Sequence, residues 1–235
     1  MKIERVLLKL SGESLMGSEQ YGISSERIKQ YVQDIAGLQK KGIQTAIVIG
    51  GGNIFRGLAG IDSGFDRVTG DQMGMLATTI NSLALRSALE NENINAKVFT
   101  AVEMPAIGPR FHAGNVIRHL ENNGIAILAG GTGNPYFSTD SASALRALEI
   151  QADVFLKGTR VDGVYSDDPE KNPEAVKYEE ITFAEAWQKK LSIMDLTAFT
   201  MCQENNLPVI VFDMNEKGRL IDIISDPKFG TLIHN

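Results

Sequence analysis

The sequence predicts an α/β fold, a three-layer αβα sandwich with a mostly parallel central sheet, and two observations carry the prediction. Short, almost wholly apolar segments alternate with segments of helical hydrophobic spacing nearly to the end of the chain. Three of the apolar segments run directly into glycine-rich turns, at residues 6–12, 46–57 and 126–140. Strands that are apolar throughout are typical of a parallel sheet that helices cover on both faces. With 43% hydrophobic residues, the 235-residue chain can build one large core.

The predicted elements follow one another in a regular order. Strands are expected at residues 6–10, 43–49, 96–99, 125–128, 154–156 and 208–212. Helices are expected at residues 28–38, from Asp71 onward, and near 113–122, 141–149, 183–189 and 193–205. Gly42 follows the first helix as a C-terminal stop. Thr182 with Glu185, and Ser192 with Asp195, have the spacing of capping boxes at the starts of the last two helices.

Composition limits the classes of function. A net charge of −6 lacks the positive field of a non-specific nucleic-acid binder, so an anionic ligand needs a local positive site. No apolar run approaches the roughly 20 residues of a membrane span, and the first residues lack the pattern of a signal peptide. We therefore expect a cytoplasmic protein without a membrane partner. The single cysteine, Cys202, excludes an intramolecular disulfide and is expected to be a buried apolar residue. His112, His119 and His234 are expected in surface or hydrogen-bonded roles rather than as metal ligands.

The three glycine-rich turns indicate phosphate binding. Without Cβ atoms, backbone N–H groups can approach an anion closely, and a helix that starts behind the turn adds N–H groups and a positive dipole end. The turns follow strands of one parallel sheet, so they are expected to converge at its carboxyl edge, where ligands of such sheets bind. The chain has neither a GxxxxGK(S/T) nor a GxGxxG motif, which disfavours a Walker ATPase and an ordinary dinucleotide enzyme.

Three cationic residues stand at these turns or at strand ends. Lys9, at the end of the first strand, fits a phosphate contact or a strand lysine whose charge reaches solvent. Arg56, after the triple glycine, fits a phosphate clamp or a solvated helix arginine. Lys157 is a second lysine at a strand end.

Carboxylates beside phosphate need a reason, because they repel anions. Asp71, Asp140 and Asp195 fit helix N-caps, and they equally fit groups that orient lysines, bind ribose or hold Mg²⁺ through water. Tyr165 fits packing on a turn as well as it fits an adenine pocket.

Six motifs together carry a family resemblance. They are Leu8–Glu13, Ile49–Gly57, Gly70–Thr78, Gly131–Asp140, Val161–Tyr165 and Met194–Leu196. They resemble the amino acid kinase family, and within it the bacterial-type uridylate kinases, over nearly the whole chain. The resemblance implies an enzyme that phosphorylates UMP to UDP with ATP and Mg²⁺ in pyrimidine nucleotide biosynthesis.

The resemblance also implies the site residues. The expected ATP contacts are Lys9, Leu10, Ser11, Gly12, Gly52, Arg56, Thr159, Tyr165 and Asp168. The expected UMP contacts are Gly51, Asp71, Thr132, Gly133, Asn134, Pro135, Tyr136, Phe137, Ser138 and Thr139. The residues expected in catalysis are Lys9, Arg56, Asp140, Lys157 and Asp195. Mg²⁺ is expected to arrive with ATP, without a dedicated ligand cage in the protein.

The chemistry of the acceptor agrees with this site. A phosphate monoester has a second pKa near 6, so its acceptor oxygen is already anionic at pH 7 and no general base is needed. We expect in-line transfer in which Lys9 bridges the transferred group and Asp140 or Asp195 holds the cationic side chains in register.

The resemblance extends to organisation and assembly. It implies one domain over residues 1–235, with an acceptor-binding N-terminal lobe of about residues 1–150 and an ATP-binding C-terminal lobe of about 151–235. The loop at residues 167–173 could divide two such lobes. A homo-oligomer, usually a hexamer, with GTP and UTP as effectors is implied, and the loop at 17–22 is associated with that regulation.

Two alternatives stay open. One is another kinase of the same fold that phosphorylates a carboxylate, a carbamate or an isoprenoid phosphate. The other is a nucleotide sensor or storage protein without catalytic activity.

Overall fold

A computed structural model of the chain describes residues 2–55, 64–169 and 171–235. The strands are β1 (Arg5–Leu10), β2 (Gln44–Ile49), β3 (Ala96–Thr100), β4 (Ile125–Ala129), β5 (Val154–Thr159), β6 (Val164–Tyr165), β7 (Lys177–Tyr178), β8 (Glu180–Thr182), β9 (Val209–Asp213) and β10 (Thr231–His234). The helices are α1 (Ser25–Lys40), α2 (Arg67–Asn91), α3 (Ala113–Glu121), α4 (Thr139–Glu149), α5 (Phe183–Gln188), α6 (Leu196–Glu204) and α7 (Arg219–Ser225). Short 3₁₀ helices cover Glu13–Met16 and Pro227–Phe229. Within these described ranges, none of the helices has the length and apolarity that a bilayer crossing requires.

Eight strands form one sheet in the order β3-β4-β2-β1-β5-β9-β10-β8, and β6 pairs with β7 in a separate ribbon. The strands from β3 across to β9 are parallel to one another. Only at one edge does the direction change, because β10 runs antiparallel to β9 and parallel to β8. The prediction of a mostly parallel central sheet is confirmed.

The sheet separates two hydrophobic cores, because successive residues of a strand point to opposite faces. Leu8 and Leu10 of β1 lie in the core that α1, α2 and α7 cover. Leu7 lies in the opposite core, which α3, α4, α5 and α6 cover. Helices therefore cover both faces, as the three-layer prediction requires. By the same alternation, Lys9 shares the face of Leu7.

β1 and β5 lie where the connections of the sheet change direction. From β1 the chain continues to β2 on one side, and from β5 it continues to β8 and β9 on the other. A crevice outside the carboxyl ends of such strands is the usual ligand position in open parallel sheets. The register of this pair sets Lys9 of β1 beside Lys157 of β5.

The start of α2 corrects one prediction. The helix begins at Arg67, and its N-cap is Asp66, whose carboxylate accepts a hydrogen bond from Thr69 N (3.1 Å). Asp71 lies in the second turn, so its interpretation as a helix N-cap is wrong. Asp66 is favoured as the N-cap because the hydroxyl of Thr69, three residues later, also donates a hydrogen bond to its carboxylate (2.6 Å).

The two predicted capping boxes have different outcomes. The box of Thr182 and Glu185 is confirmed, since each side chain accepts a hydrogen bond from the other residue's backbone N–H (3.1 Å each). The box of Ser192 and Asp195 is wrong. α6 begins only at Leu196, and Asp195 is itself the N-cap, with its carboxylate accepting from Ala198 N (3.0 Å).

The short elements near the end of the chain were not predicted. The β6–β7 ribbon has two residues in each strand, β8 has three, and α7 has seven. Segments of this length contain too few residues to establish a hydrophobic period. Of these elements, β8 joins the main sheet through β10, which pairs with both β8 and β9.

Cys202 lies on α6 with no exposed surface. Burial raises the pKa of its thiol to about 12, and the nearby carboxylates of Asp140 and Asp195 act in the same direction. The expectation of a buried packing residue is confirmed.

Candidate functional site

Two lysines and one aspartate form the centre of the site. Lys9 and Lys157 project from adjacent positions of β1 and β5, and Asp140 faces them from the first turn of α4. The Lys9 ammonium lies 3.2 Å from Asp140 Oδ1, and the Lys157 ammonium donates a hydrogen bond to Asp140 Oδ2. All three side chains are between 10% and 15% exposed, so solvent screens these charges only partly.

Burial and charge shift two pKa values in this cluster. Burial alone would raise the pKa of Asp140, but the ammonium groups of Lys9 and Lys157 outweigh it and hold that pKa below its usual range. Burial lowers the pKa of Lys157, while the Asp140 carboxylate opposes that effect. With two cations around one anion, the cluster retains excess positive charge for a phosphate group.

Asp195 anchors the elements around this cluster through hydroxyl groups. Ser138 is the N-cap of α4, since its Oγ accepts hydrogen bonds from Asp140 N and Ser141 N (both 3.0 Å). The hydroxyl groups of Ser138 and Ser141 both donate to the Asp195 carboxylate, the latter at 2.8 Å. Because Asp195 also caps α6, one carboxylate ties together the starts of two helices. Asp140 itself is therefore no N-cap; its side chain is directed to the lysines.

An open cavity lies beside the loop at residues 131–139, and we call it the loop cavity. Its lining is Gly51, Phe55, Asp71, Gly74, Met75, Thr78, Gly131, Thr132, Asn134, Phe137, Ser138 and Thr139. The lining includes seven expected UMP contacts: Gly51, Asp71, Thr132, Asn134, Phe137, Ser138 and Thr139. Gly133, Pro135 and Tyr136 belong to the same loop but do not line the cavity.

Five lining residues were missed from the sequence: Phe55, Gly74, Met75, Thr78 and Gly131. Three of them could have been found. Gly74, Met75 and Thr78 stand three, four and seven residues after Asp71, which is the spacing of one helix face. Once Asp71 is expected at the ligand, the same face of α2 should be expected there too.

Asp71 joins α2 to the loop. Its Oδ2 atom accepts hydrogen bonds from Arg67 Nε and from Tyr136 N, both at 2.7 Å. Tyr136 has φ of 70°, a left-handed conformation that is unusual for a residue with a side chain. The hydrogen bond to Asp71 helps to hold this strained point of the loop in place.

A second open cavity lies at the carboxyl ends of β1, β5 and β9, and we call it the strand-end cavity. Its lining is Lys9, Ser11, Glu13, Ser14, Met16, Gly17, Arg27, Gly158, Thr159, Arg160 and Asn215. The lining includes three expected ATP contacts: Lys9, Ser11 and Thr159. The other eight lining residues were missed, and Arg27 and Asn215 show why. They contact each other through a guanidinium–amide hydrogen bond, although 188 positions separate them in sequence, so no local pattern could have paired them.

Four other expected ATP contacts do not line this cavity. Leu10 is fully buried. Gly12 packs so closely on the second glycine turn that a Cβ atom would lie 2.5 Å from Gly50 O, which explains the need for glycine there. The Tyr165 hydroxyl donates to Asp162 Oδ1 (2.7 Å), which raises the pKa of Tyr165 to about 12. Asp168 forms an ion pair with Lys171 (2.9 Å).

Two expected ATP contacts remain, Gly52 and Arg56. Gly52, in the second glycine turn, lines neither cavity. Arg56, expected both at ATP and in catalysis, lies outside the described residues.

The carboxylates of the site do not form a cage for Mg²⁺. Asp140 is engaged by two lysines, and Asp195 by two hydroxyl groups and a backbone N–H. No group of three metal-binding side chains occurs among residues 2–55, 64–169 and 171–235. The donor set therefore does not fit a metal ion held by the protein alone.

The lysine cluster lies between the two cavities. Lys9 lines the strand-end cavity and contacts Asp140. Ser138 and Thr139, immediately before Asp140, line the loop cavity. Two anionic ligands, one in each cavity, would therefore meet at the same buried cations, which is the arrangement that phosphoryl transfer requires.

The chain belongs to the amino acid kinase family, whose sequence profile matches residues 4–213. A uridylate kinase of Parabacteroides distasonis is 57% identical over 99% of this chain and 98% of its own length. One of Bacteroides thetaiotaomicron is 56% identical over 100% of this chain and 99% of its own. The crystal structure of UMP kinase from Bacillus anthracis matches with a TM-score of 0.96 at 36% identity, covering 100% of this chain and 97% of that one. These similarities confirm the predicted family and the predicted resemblance to uridylate kinases.

Proposed function

We propose that this protein transfers the γ-phosphoryl group of ATP to UMP and forms UDP and ADP, a step of pyrimidine nucleotide biosynthesis. The observation that carries the proposal is the pair of cavities on either side of Lys9, Asp140 and Lys157. Full-length identity of 55–57% to four uridylate kinases supports UMP as the acceptor.

In this proposal UMP occupies the loop cavity and ATP the strand-end cavity. The loop at 131–139 and the Asp71 face of α2 contact the acceptor. ATP is bound along the first glycine turn and the ends of β1 and β5, with Gly52, Tyr165 and Asp168 at its outer parts. Arg56 is assigned to the polyphosphate on its sequence position alone. The N-terminal lobe, about residues 1–150, then supplies most of the acceptor site, and residues from about 151 onward contribute to the donor site.

The transfer needs charge neutralisation rather than a base. The acceptor oxygen of UMP is anionic at pH 7, because the second pKa of a phosphate monoester is about 6. That oxygen attacks the γ-phosphorus in line, the bond from the γ-phosphorus to the bridging oxygen breaks, and ADP leaves with the electron pair. Lys9 and Lys157 stabilise the charge on the transferred group, and Asp140 fixes the position of both ammonium groups. Mg²⁺ enters as part of the Mg–ATP substrate, liganded by phosphate oxygens and water.

Assembly and regulation are proposed by resemblance. We expect a homohexamer that responds to GTP or UTP, with the loop at 17–22 involved in the response. Leu76 and Ile80, one turn apart on α2, are 52% and 49% exposed, which supports a subunit contact on that helix. Sedimentation of the purified protein, with and without nucleotides, measures the oligomeric state.

An acceptor screen tests the proposal. The protein is incubated with Mg–ATP and, separately, UMP, CMP, a carboxylate such as aspartate, and isopentenyl phosphate, and the products are separated by ion-exchange chromatography. UDP and ADP in equal amounts are expected with UMP. Turnover with a non-nucleotide acceptor alone would indicate another kinase of the family. ATP binding without any turnover would indicate a sensor or storage protein.

A further inference from the structure

Arg146, on α4, is a buried charge that the proposed mechanism does not use. Its side chain is 7% exposed, and it lies about 1.7 turns beyond Asp140 along the helix. Burying a guanidinium is costly unless its donors are satisfied. The partners of this guanidinium therefore show what Arg146 holds in place.

The guanidinium of Arg146 reaches the loop cavity from behind. One terminal nitrogen, Nη1, donates to Glu149 Oε2 (2.6 Å). The other, Nη2, donates to the backbone oxygens of Gly131 and Thr132 (3.3 Å each). The guanidinium also lies over the Phe111 ring, with its central carbon 4.1 Å from the ring centroid. A charge-assisted contact to two successive carbonyl groups restrains the direction of both peptides.

Those two peptides form part of the wall of the loop cavity. Gly130, Gly131 and Gly133 have φ of 82°, 61° and 84°, so this stretch has far more accessible conformations than an ordinary loop unless its surroundings fix it. In a trans peptide the N–H of Thr132 points opposite to the carbonyl of Gly131. By drawing that carbonyl toward itself, Arg146 turns the N–H away from the guanidinium.

The neighbouring parts of the loop have other anchors. Gly130 N donates to Thr78 Oγ1 (2.9 Å), and Tyr136 N donates to Asp71 (2.7 Å). Among the described residues, the carbonyl oxygens of Gly131 and Thr132 receive their side-chain hydrogen bonds from Arg146. None of these groups lines the strand-end cavity.

We infer that Arg146 is a positioning residue for the acceptor: it fixes the 131–132 backbone from behind and thereby sets the affinity of the loop cavity for the nucleoside monophosphate. The inference rests on the proposed function in placing that acceptor in this cavity. Loss of Arg146 should weaken binding of the acceptor and leave binding of ATP almost unaffected. The reason is that the backbone held by Arg146 lines only the loop cavity.

Arg146→Met, which keeps much of the length and removes the donors, is the main test. The expected result is a KM for UMP about tenfold higher, the effect of losing a hydrogen bond to a charged group, with the KM for ATP changed less than about twofold. Arg146→Lys should restore part of the affinity, because an ammonium can reach one carbonyl but cannot form the planar fork. Arg118→Met is the matched control, since the Arg118 guanidinium binds Gly114 O and Asn115 within its own helix.

Equal increases in both KM values, or an unchanged KM for UMP in Arg146→Met, would overturn the inference. If Arg146→Met does not fold, Phe111→Leu replaces it, because this change removes the stacking ring and leaves the hydrogen bonds. A rise of about threefold in the KM for UMP alone is then expected, and an unchanged ratio of the two KM values would be the contrary result. A parent protein that makes no UDP would contradict the proposed function instead. Calorimetric titration of parent and variant with UMP would still show whether Arg146 controls binding.

Discussion

The loop cavity and the strand-end cavity lie on either side of the same lysines, yet they are built in different ways. The wall of the loop cavity comes mainly from two continuous pieces, one face of α2 and the loop at 131–139. The strand-end cavity is assembled from four separate places: residues 9–17, Arg27, residues 158–160 and Asn215. The backbone around the first wall is fixed by hydrogen bonds that Thr78 and Asp71 accept from backbone N–H groups and that Arg146 donates to a carbonyl oxygen. The second wall depends on the meeting of three strand ends.

Because the two walls are built differently, acceptor selectivity and catalysis can be altered separately. A wall made of one loop can be altered without disturbing the opposite cavity, so its substitutions should change acceptor binding alone. The lysines lie at Asp140, where the two cavities meet, so their substitutions should reduce the rate whatever the substrate concentrations.

The largest effect is expected for Lys9→Ala. Removal of this ammonium takes one preorganised charge from the transferred phosphoryl group, and kcat should fall by about 10²-fold or more. Initial rates at saturating ATP and UMP give the value, and Lys29→Ala, a change at an exposed lysine of α1, is the control. Near-normal kcat in Lys9→Ala would remove the lysine from its proposed role.

The next largest effect is expected for Asp140→Asn, and it distinguishes the role of Asp140 from that of Asp195. Asp140→Asn leaves Lys9 and Lys157 side by side without their counter-charge, so we expect kcat to fall at least about tenfold and stability to drop by about 3–5 kcal/mol, as when one partner of a buried pair is removed. Asp195→Asn keeps an acceptor oxygen for the serine hydroxyls and should lower kcat less. Steady-state kinetics and urea unfolding of both variants measure the order. A larger loss of kcat in Asp195→Asn would assign the lysine-holding role to that residue instead.

Substitution in the loop cavity should act on the acceptor. Asp71→Ala removes the acceptor of Tyr136 N and frees the loop, so the KM for UMP should rise by about fivefold to tenfold, equivalent to about 1–1.4 kcal/mol. The KM for ATP should stay within about twofold. Glu90→Ala, on the exposed end of the same helix, provides the comparison. A change in the KM for ATP as large as that for UMP would break the division between the cavities.

Substitution in the strand-end cavity should have a smaller effect, and it should act on ATP instead of UMP. The Thr159 hydroxyl donates to Val161 O (2.7 Å) and accepts from Val161 N (3.0 Å), which closes the turn after β5. Thr159→Val should loosen that turn and raise the KM for ATP by about threefold, with the KM for UMP unaltered. The two KM values, each measured at saturating co-substrate, decide the matter; an effect on UMP would assign this turn to the other ligand.

The smallest predicted effect concerns acid stability. The pKa of Asp140 is lowered in the folded protein, so its contribution to stability is complete above the unfolded carboxyl pKa of about 3.9 and is lost as the pH falls through the lower, folded value. The contribution of Asp34 to stability changes with pH in the opposite direction. Burial raises its pKa, so the folded protein gains stability as the pH falls and Asp34 is protonated.

Urea unfolding at pH 6 and pH 3 tests this pair. The loss of stability on acidification should be reduced in Asp140→Asn and increased in Asp34→Asn, by on the order of 1 kcal/mol in each case. Shifts of the same sign in both variants would contradict the assignment.

The contrast between the cavities also explains what could be predicted from the sequence. The sheet and the glycine turns were predictable because apolar strands and turn residues are local patterns, whereas the loop at 132–139 was expected at the acceptor from the family resemblance. Arg27 and Asn215 were not, since only the fold brings them together. The burial of Arg146 could not be predicted from the sequence, because an arginine on a helix is usually solvated. Asp71 shows the intermediate case: its place beside the ligand was expected, but the cap that starts its helix is Asp66.

The lone thiol of Cys202 makes the movement of α6 measurable. The chain contains one cysteine, it has no exposed surface, and its pKa is about 12, so a thiol reagent in neutral solution can modify it only when α6 separates from the core. Asp195 joins the start of α6 to Ser138 and Ser141, so that separation also disturbs the wall of the loop cavity. The modification rate of the unaltered protein therefore reports how often this cavity opens, and an occupant of the cavity should slow it.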